Sequence, residues 1–167
     1  MSNYIKGNLE IKGRKEDVKK FLLEELEDVE IIKDDNHEFI IEPKNNIFFM
    51  KNTKGMIDQD VIKANINSWG NEENIITLFY RRRNHLDANE LQEISSKYNL
   101  DLKIKAEEYL VCFKQEIEII KGEIIKNIAY DWDRRPHLKY DEFKILGVDD
   151  GVTWIEPVFY QEYQIEN

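Results

Sequence analysis

Arg81, Arg82, Arg83 and His85 form the one basic cluster in the middle of the chain, at the end of an apolar run. Guanidinium groups suit bidentate contacts to phosphate or carboxylate oxygens. A second group, Arg134, Arg135 and His137, can add to the first if the fold brings them together. The alternative is a solvated strand end whose arginines pair with surplus carboxylates and protect an edge from aggregation. Asp131 and Asp133 flank Trp132, and strand alternation would put both carboxylates on one face, as a carboxylate pair or a divalent cation requires. Nothing nearby completes such a set, and Asp is common where strands end.

The remaining reactive side chains are scattered. His37, His85 and His137 have neither HxH nor HxxxH spacing. Cys112 is the single cysteine, so it supports no intramolecular disulfide or cysteine-based zinc site, and between Val111 and Phe113 it reads as a small core residue. Ser68, Ser95 and Ser96 lack the glycines of a nucleophile elbow, and no glycine-rich phosphate loop occurs. Trp69, Trp132 and Trp154 read first as core, with an aromatic binding patch as the alternative. These residues assign no catalytic site, metal site or cofactor.

Charge supplies a different kind of candidate. The chain carries 34 acidic and 24 basic residues, net −10, which disfavours general binding to a phosphate backbone unless a local basic patch overrides it. Nine carboxylates lie between positions 24 and 42 against Lys33 alone, beginning with Glu24, Glu25, Glu27 and Asp28; seven lie between 140 and 167 against Lys144. Each run is either a solvating face or a surface for a basic partner. No apolar run approaches the ~18 residues of a membrane span and the start has no signal region, so a soluble cytoplasmic protein is expected.

The elements that would position these residues follow from periodicity. NYIKGNLEIKG (3–13) alternates as a half-buried strand, and RKEDVKKFLLEEL (14–26) places Val18, Phe21, Leu22 and Leu26 at helical spacing. VEIIK, HEFIIEP and NIFFM, separated by turn-type clusters, read as a β-meander or hairpin, and three such short runs allow several pairings. DQDVIKANINSW (58–69) reads as a short helix closed by Gly70. NIITLFYRRR is a strand, DANELQEISSKYN a helix, and LDLKIKAEEY, VCFKQEIEIIKG and EIIKNIAY three strands, with Lys121-Gly122 as a hairpin turn. In the aromatic-rich end, VDDG reads as a turn between EFKIL and VTWIE. The expected fold is α+β: a ferredoxin-like sandwich, an antiparallel sheet with helices on one face. It forms a single domain, with the core in 3–26 and 74–130, an inserted meander and helix in 28–70, and an extension in 131–167.

Three stretches resemble the YubB-type ferredoxin-like domain proteins of bacterial plasmids and phages. SNYIKGNLEIKGRKEDVKKFL is similar to the family's opening strand, glycine and helix. NSWG (67–70) is similar to its Trp-Gly motif, and LQEISSKYNLDLKIKAEEY with FKQEIEIIKGEII to its helix end, strand and hairpin. The chain departs from the family at Asn71-Glu72-Glu73, after Trp-Gly, and at Arg82-Arg83-Asn84-His85, the strand exit. The resemblance implies a ferredoxin-like fold and a mobile-element setting, and no established activity.

Two functions are expected from these observations. The first is a non-enzymatic protein of a phage or plasmid that binds a protein partner through its acidic surfaces, in one form inhibiting a host-defence nuclease. The second is a nucleic-acid-binding module using the sheet face and Arg81, Arg82 and Arg83. A small enzyme acting on a phosphorylated ligand would need a polar pocket around Arg82, His85 and Asp131.

Overall fold

A computed structural model describes residues 4–65, 74–108, 113–131, 143–149 and 151–157. Its elements in chain order are β1 (Tyr4–Gly13), α1 (Lys15–Glu25), β2 (Val29–Asp34), β3 (Glu38–Pro43), β4 (Phe48–Phe49), β5 (Met56–Ile57), β6 (Ile62–Asn65), β7 (Asn74–Arg83), α2 (Ala88–Tyr98), β8 (Asp101–Glu108), β9 (Phe113–Ile120), β10 (Glu123–Asp131), β11 (Phe143–Asp149) and β12 (Val152–Pro157). Among the described residues, nine strands form one sheet, ordered β11-β12-β10-β9-β8-β1-β7-β5-β4, and three form another, ordered β2-β3-β6. Among the described strands, only the β10–β12 pair is parallel. The fold is α+β, with a large, mostly antiparallel sheet and two helices, neither long and apolar enough to cross a membrane.

Alternation in β1 buries Ile5, Leu9 and Ile11 and leaves Lys6, Asn8, Glu10 and Lys12 exposed. β7 and β8, both antiparallel to β1, repeat the pattern with Ile76, Leu78 and Tyr80 and with Leu102, Ile104 and Ala106 inside. Gly7 makes the closest approach: a Cβ there would lie 2.0 Å from the Lys105 carbonyl oxygen and 2.5 Å from Ala106 Cα. Only glycine fits between β1 and β8 at that point.

The helices cover this core through periodic apolar faces. Val18, Phe21, Leu22 and Glu25 of α1 are buried, as are Leu91, Ile94, Ser95 and Tyr98 of α2, and Phe21 meets Tyr98 edge to face at 5.7 Å. Asp87 caps α2 by accepting the Asn89 N–H at 2.9 Å. Asn99 ends the helix in the left-handed region, φ 54°, donating its N–H to the Ser95 carbonyl. The expected hairpin at Lys121-Gly122 is present with φ of 48° and 84°, the two positive values of a type I′ turn. β11 and β12 pair across the expected VDDG turn, although its Val148 and Asp149 belong to β11 and pair with Thr153 and Val152.

Within residues 28–70 one expectation fails and one pairing that the sequence leaves open is decided. In place of the helix over 58–69, residues 58–61 are irregular and 62–65 form strand β6: Ile62 and Ala64 alternate as buried residues and pair with Ile41 and Phe39 of β3. Val61, Ile62 and Ile66 satisfy helical spacing equally well, so the tertiary pairing decides; Trp69 and Gly70 lie outside the described residues. The three-run meander is divided between the sheets. β2 and β3 pair, whereas Phe48 and Phe49 cross to the large sheet and pair with Ile57 and Met56.

Candidate functional site

Because side chains alternate, the set opposite the core forms a second face of the large sheet, and strand register orders it into rows. One row runs Phe79, Asn8, Lys105, Glu116 and Ile128 across β7, β1, β8, β9 and β10. The next runs Met56, Arg81, Lys6, Glu107, Lys114 and Tyr130, with Tyr4 opposite Arg83 beyond it. At one end of this face is an open concavity of about 930 Å³, whose walls include Tyr4, Lys6, Asn8, Phe79, Lys105 and Tyr130. A smaller one of about 210 Å³, at Glu10, Lys12 and Ile75, continues along the same face. No helix residue lines either.

The rows hold eight cations, Lys6, Lys12, Arg81, Arg83, Lys103, Lys105, Lys114 and Lys126, against six carboxylates, Glu10, Asp101, Glu107, Glu116, Glu118 and Glu123, with Asp58 beside Arg81 a seventh. Several are paired: Lys114 with Glu107 at 3.4 Å, Lys126 with Glu116 at 2.5 Å, and Arg81 with Asp58 at 3.1 Å. Lys6, Lys105 and Arg83 form no ion pair among the described residues. Burial opposes ionisation of Glu116, yet the hydrogen bond and charge of Lys126, with Lys105 and Lys103 nearby, hold its carboxyl below the usual value. Burial, then the Glu116 carboxylate, pushes the Tyr130 hydroxyl up. Phe79, 54% exposed, and Phe49, 41% exposed and in register with Met56, are the bare aromatics of the face among the described residues. Tyr4 lies under two guanidinium groups, 5.2 Å from Arg81 and 5.9 Å from Arg83.

The arginine run is therefore not one patch. Arg81 and Arg83 point to the open face, while Arg82 points to the core side and is held by Glu90, its second contact at 3.3 Å. His85 is exposed on the bend before α2 and, like Arg82, lines neither concavity. Arg134, Arg135, His137, Trp132, Asp133, Cys112 and Ser68, and the Asp131 side chain, lie outside the described residues. Ser95 is structural: buried, it donates to the Leu100 carbonyl at 2.5 Å and accepts the Gly122 N–H at 2.8 Å. Trp154 packs 5.7 Å from Phe113. Among the described residues no three His, Cys, Asp or Glu side chains are grouped to hold a metal ion.

The acidic run also divides. Glu24, Glu27 and Asp28 are exposed, but Glu25 is fully buried and belongs to no surface. Its carboxylate accepts hydrogen bonds from the Asn52 backbone at 3.0 Å, the Asn52 amide at 2.9 Å and the Tyr98 hydroxyl at 3.2 Å. Asp34 pairs with Lys19, and Asp35 and Glu38 with Lys33. The lysines and Asn8 on β1 and β8 were the residues that sequence reasoning passed over. Alternating polar positions read as solvated strand faces until register aligns them with Phe79.

Fold and face together define an α+β protein whose large sheet has one side, bearing exposed aromatics and rows of lysine and arginine, that no described helix covers. Comparison with protein-family models, with curated proteins and with solved structures finds no match.

Proposed function

We propose that the open face of the large sheet binds single-stranded nucleic acid. One observation carries this reading: within a chain of net −10, the rows around Phe79 and Tyr4 collect Lys6, Lys105, Lys114, Arg81 and Arg83 against Glu107, Glu116 and Asp58, on a surface that no described helix residue lines. Bases stack on exposed aromatic rings, and lysine and arginine follow the backbone phosphates. From Phe79 on β7 to Tyr130 on β10 are four strand spacings, about 19 Å, enough for a short run of nucleotides. The local order β8-β1-β7-β5, all antiparallel, with α1 after β1 and α2 joining β7 to β8, supports a ferredoxin-like core with its helices on the side opposite this face. That arrangement leaves a sheet free to carry single strands. The test is fluorescence anisotropy at low salt with a labelled oligonucleotide of about 12 nucleotides. Binding is expected, weakened by Phe79→Ala and by Lys105→Glu. Equal binding by both variants, or none by the wild type, defeats the reading.

A second reading rests on β2, an edge of the small sheet. Ile31 and Ile32 are 48% and 51% exposed there, beside Glu27, Asp28 and Glu30. An apolar edge among carboxylates suits a basic protein partner, such as a host protein in the mobile-element setting that the sequence resemblance implies. Reversing Glu27, Asp28 and Glu30 to Lys should abolish capture of that partner while leaving oligonucleotide binding intact.

A further inference from the structure

Resting on the sheet-face reading above, we propose that Asn8 is the base-discriminating residue of the face and that it selects adenine. In the β1–β7 register Asn8 stands directly opposite Phe79, and in the β1–β8 register directly opposite Lys105. Facing residues of an antiparallel pair have Cβ atoms about 5 Å apart, so a base stacked on the Phe79 ring presents its edge to the Asn8 amide while Lys105 reaches its phosphate.

Asn8 is suited to that position. It is exposed, lines the large concavity, and makes no side-chain hydrogen bond among the described residues. Its amide therefore offers a donor and an acceptor side by side. Adenine presents the complementary acceptor and donor at N7 and N6, the pairing that asparagine makes most often. A purine also covers more of the Phe79 ring than a pyrimidine. The other polar groups around this pair are charged or already engaged. Lys105 has no acceptor, Glu116 is held by Lys126, and Lys114 pairs with Glu107. The other amides here are engaged: Gln115, which lines the concavity, exchanges hydrogen bonds with the Leu86 backbone, and Gln59 accepts the Phe79 backbone N–H at 3.0 Å.

The experiment measures dissociation constants for labelled oligo(dA), oligo(dC) and oligo(dT) of one length against wild type, Asn8→Ala and Phe79→Ala. Wild type should bind oligo(dA) about tenfold more tightly than oligo(dT), the discrimination of one good amide–base pair. Asn8→Ala should bring that ratio to about twofold or less while leaving oligo(dT) affinity within about threefold. Phe79→Ala should weaken all three, oligo(dA) somewhat more than the pyrimidine oligomers because a purine covers more of the ring. Binding with no preference in the wild type, or a preference that survives Asn8→Ala, overturns the assignment and leaves the sheet-face reading standing. Absence of binding to all three removes both.

Discussion

The carboxylate of Glu25 ties the last turn of α1 to Asn52 and to Tyr98 of α2, three hydrogen bonds in a site closed to water. Replacing it with Ala leaves the Tyr98 hydroxyl and two Asn52 donors without their acceptor, which should lower stability by about 3 kcal/mol in urea unfolding. Glu25→Gln keeps the shape and should cost less than half as much; equal losses would mean that side-chain volume, and not hydrogen bonding, dominates. The sequence contained this fact in part. Positions 18, 21, 22 and 25 share one helical face, but a glutamate inside a run of carboxylates reads as solvated because only its partners, 27 and 73 residues away, reveal the burial. Asp35 is the opposite case, exposed yet strongly bonded. The Glu38 and His37 backbone N–H groups, each at 2.8 Å, and then Lys33 hold its carboxyl at about 2. The folded value lies below the unfolded value of about 3.9, so its contribution to stability is present above pH ~4 and is lost as pH falls through about 2. A carbon-detected NMR titration should place the Asp35 midpoint near that value, and an ordinary midpoint would show the turn to be open in solution.

Elements defined by local chemistry were legible, and those defined by distant pairing were not. Asp87 and Asn99 bound α2, and Lys121-Gly122 makes the β9–β10 turn, each through bonds or backbone angles set within a few residues. β6 and β4 depend on which strand is within reach: Ile62 pairs with Ile41, and Phe48 with Ile57, choices that periodicity alone does not make. Gly7 belongs to this second group, since as one residue of an alternating strand it gave no sign of its role. With Ala there, the added methyl meets backbone atoms on both counts, the Lys105 oxygen and Ala106 Cα, so β1 and β8 must separate. Gly7→Ala should cost about 2–3 kcal/mol, at the upper end of overpacking penalties, and should speed amide exchange in β1 and β8 before the rest of the sheet. A variant as stable as the wild type would place β8 farther from β1 than the register requires.

At the scale of the molecule, net charge and local charge disagree, and salt dependence separates them. A ligand attracted to the whole protein would be basic, whereas one bound at the open face would be anionic and would approach against an overall charge of −10. Linear sequence showed the first and concealed the second, because the cations of the face come from five strands and only register brings them together. Lys6, Lys103, Lys105 and Arg83 form no ion pair among the described residues, and of these Lys6, Lys105 and Arg83 stand in the rows of Phe79 and Tyr4, where they can release counterions from a bound strand without first breaking an ion pair within the protein. For a single strand each such contact contributes about 0.7 to the slope of log affinity against log salt. Changing all three to Ala should therefore reduce the slope by about 2 and weaken binding at low salt, with little change in melting temperature because all three side chains are on the solvent side. The paired cations provide the contrast: Lys126→Ala frees Glu116 and should weaken binding through the unmasked carboxylate. If the triple variant keeps the wild-type slope, the phosphates lie elsewhere on the protein, and the Phe79 platform would have to hold bases without the cations beside it.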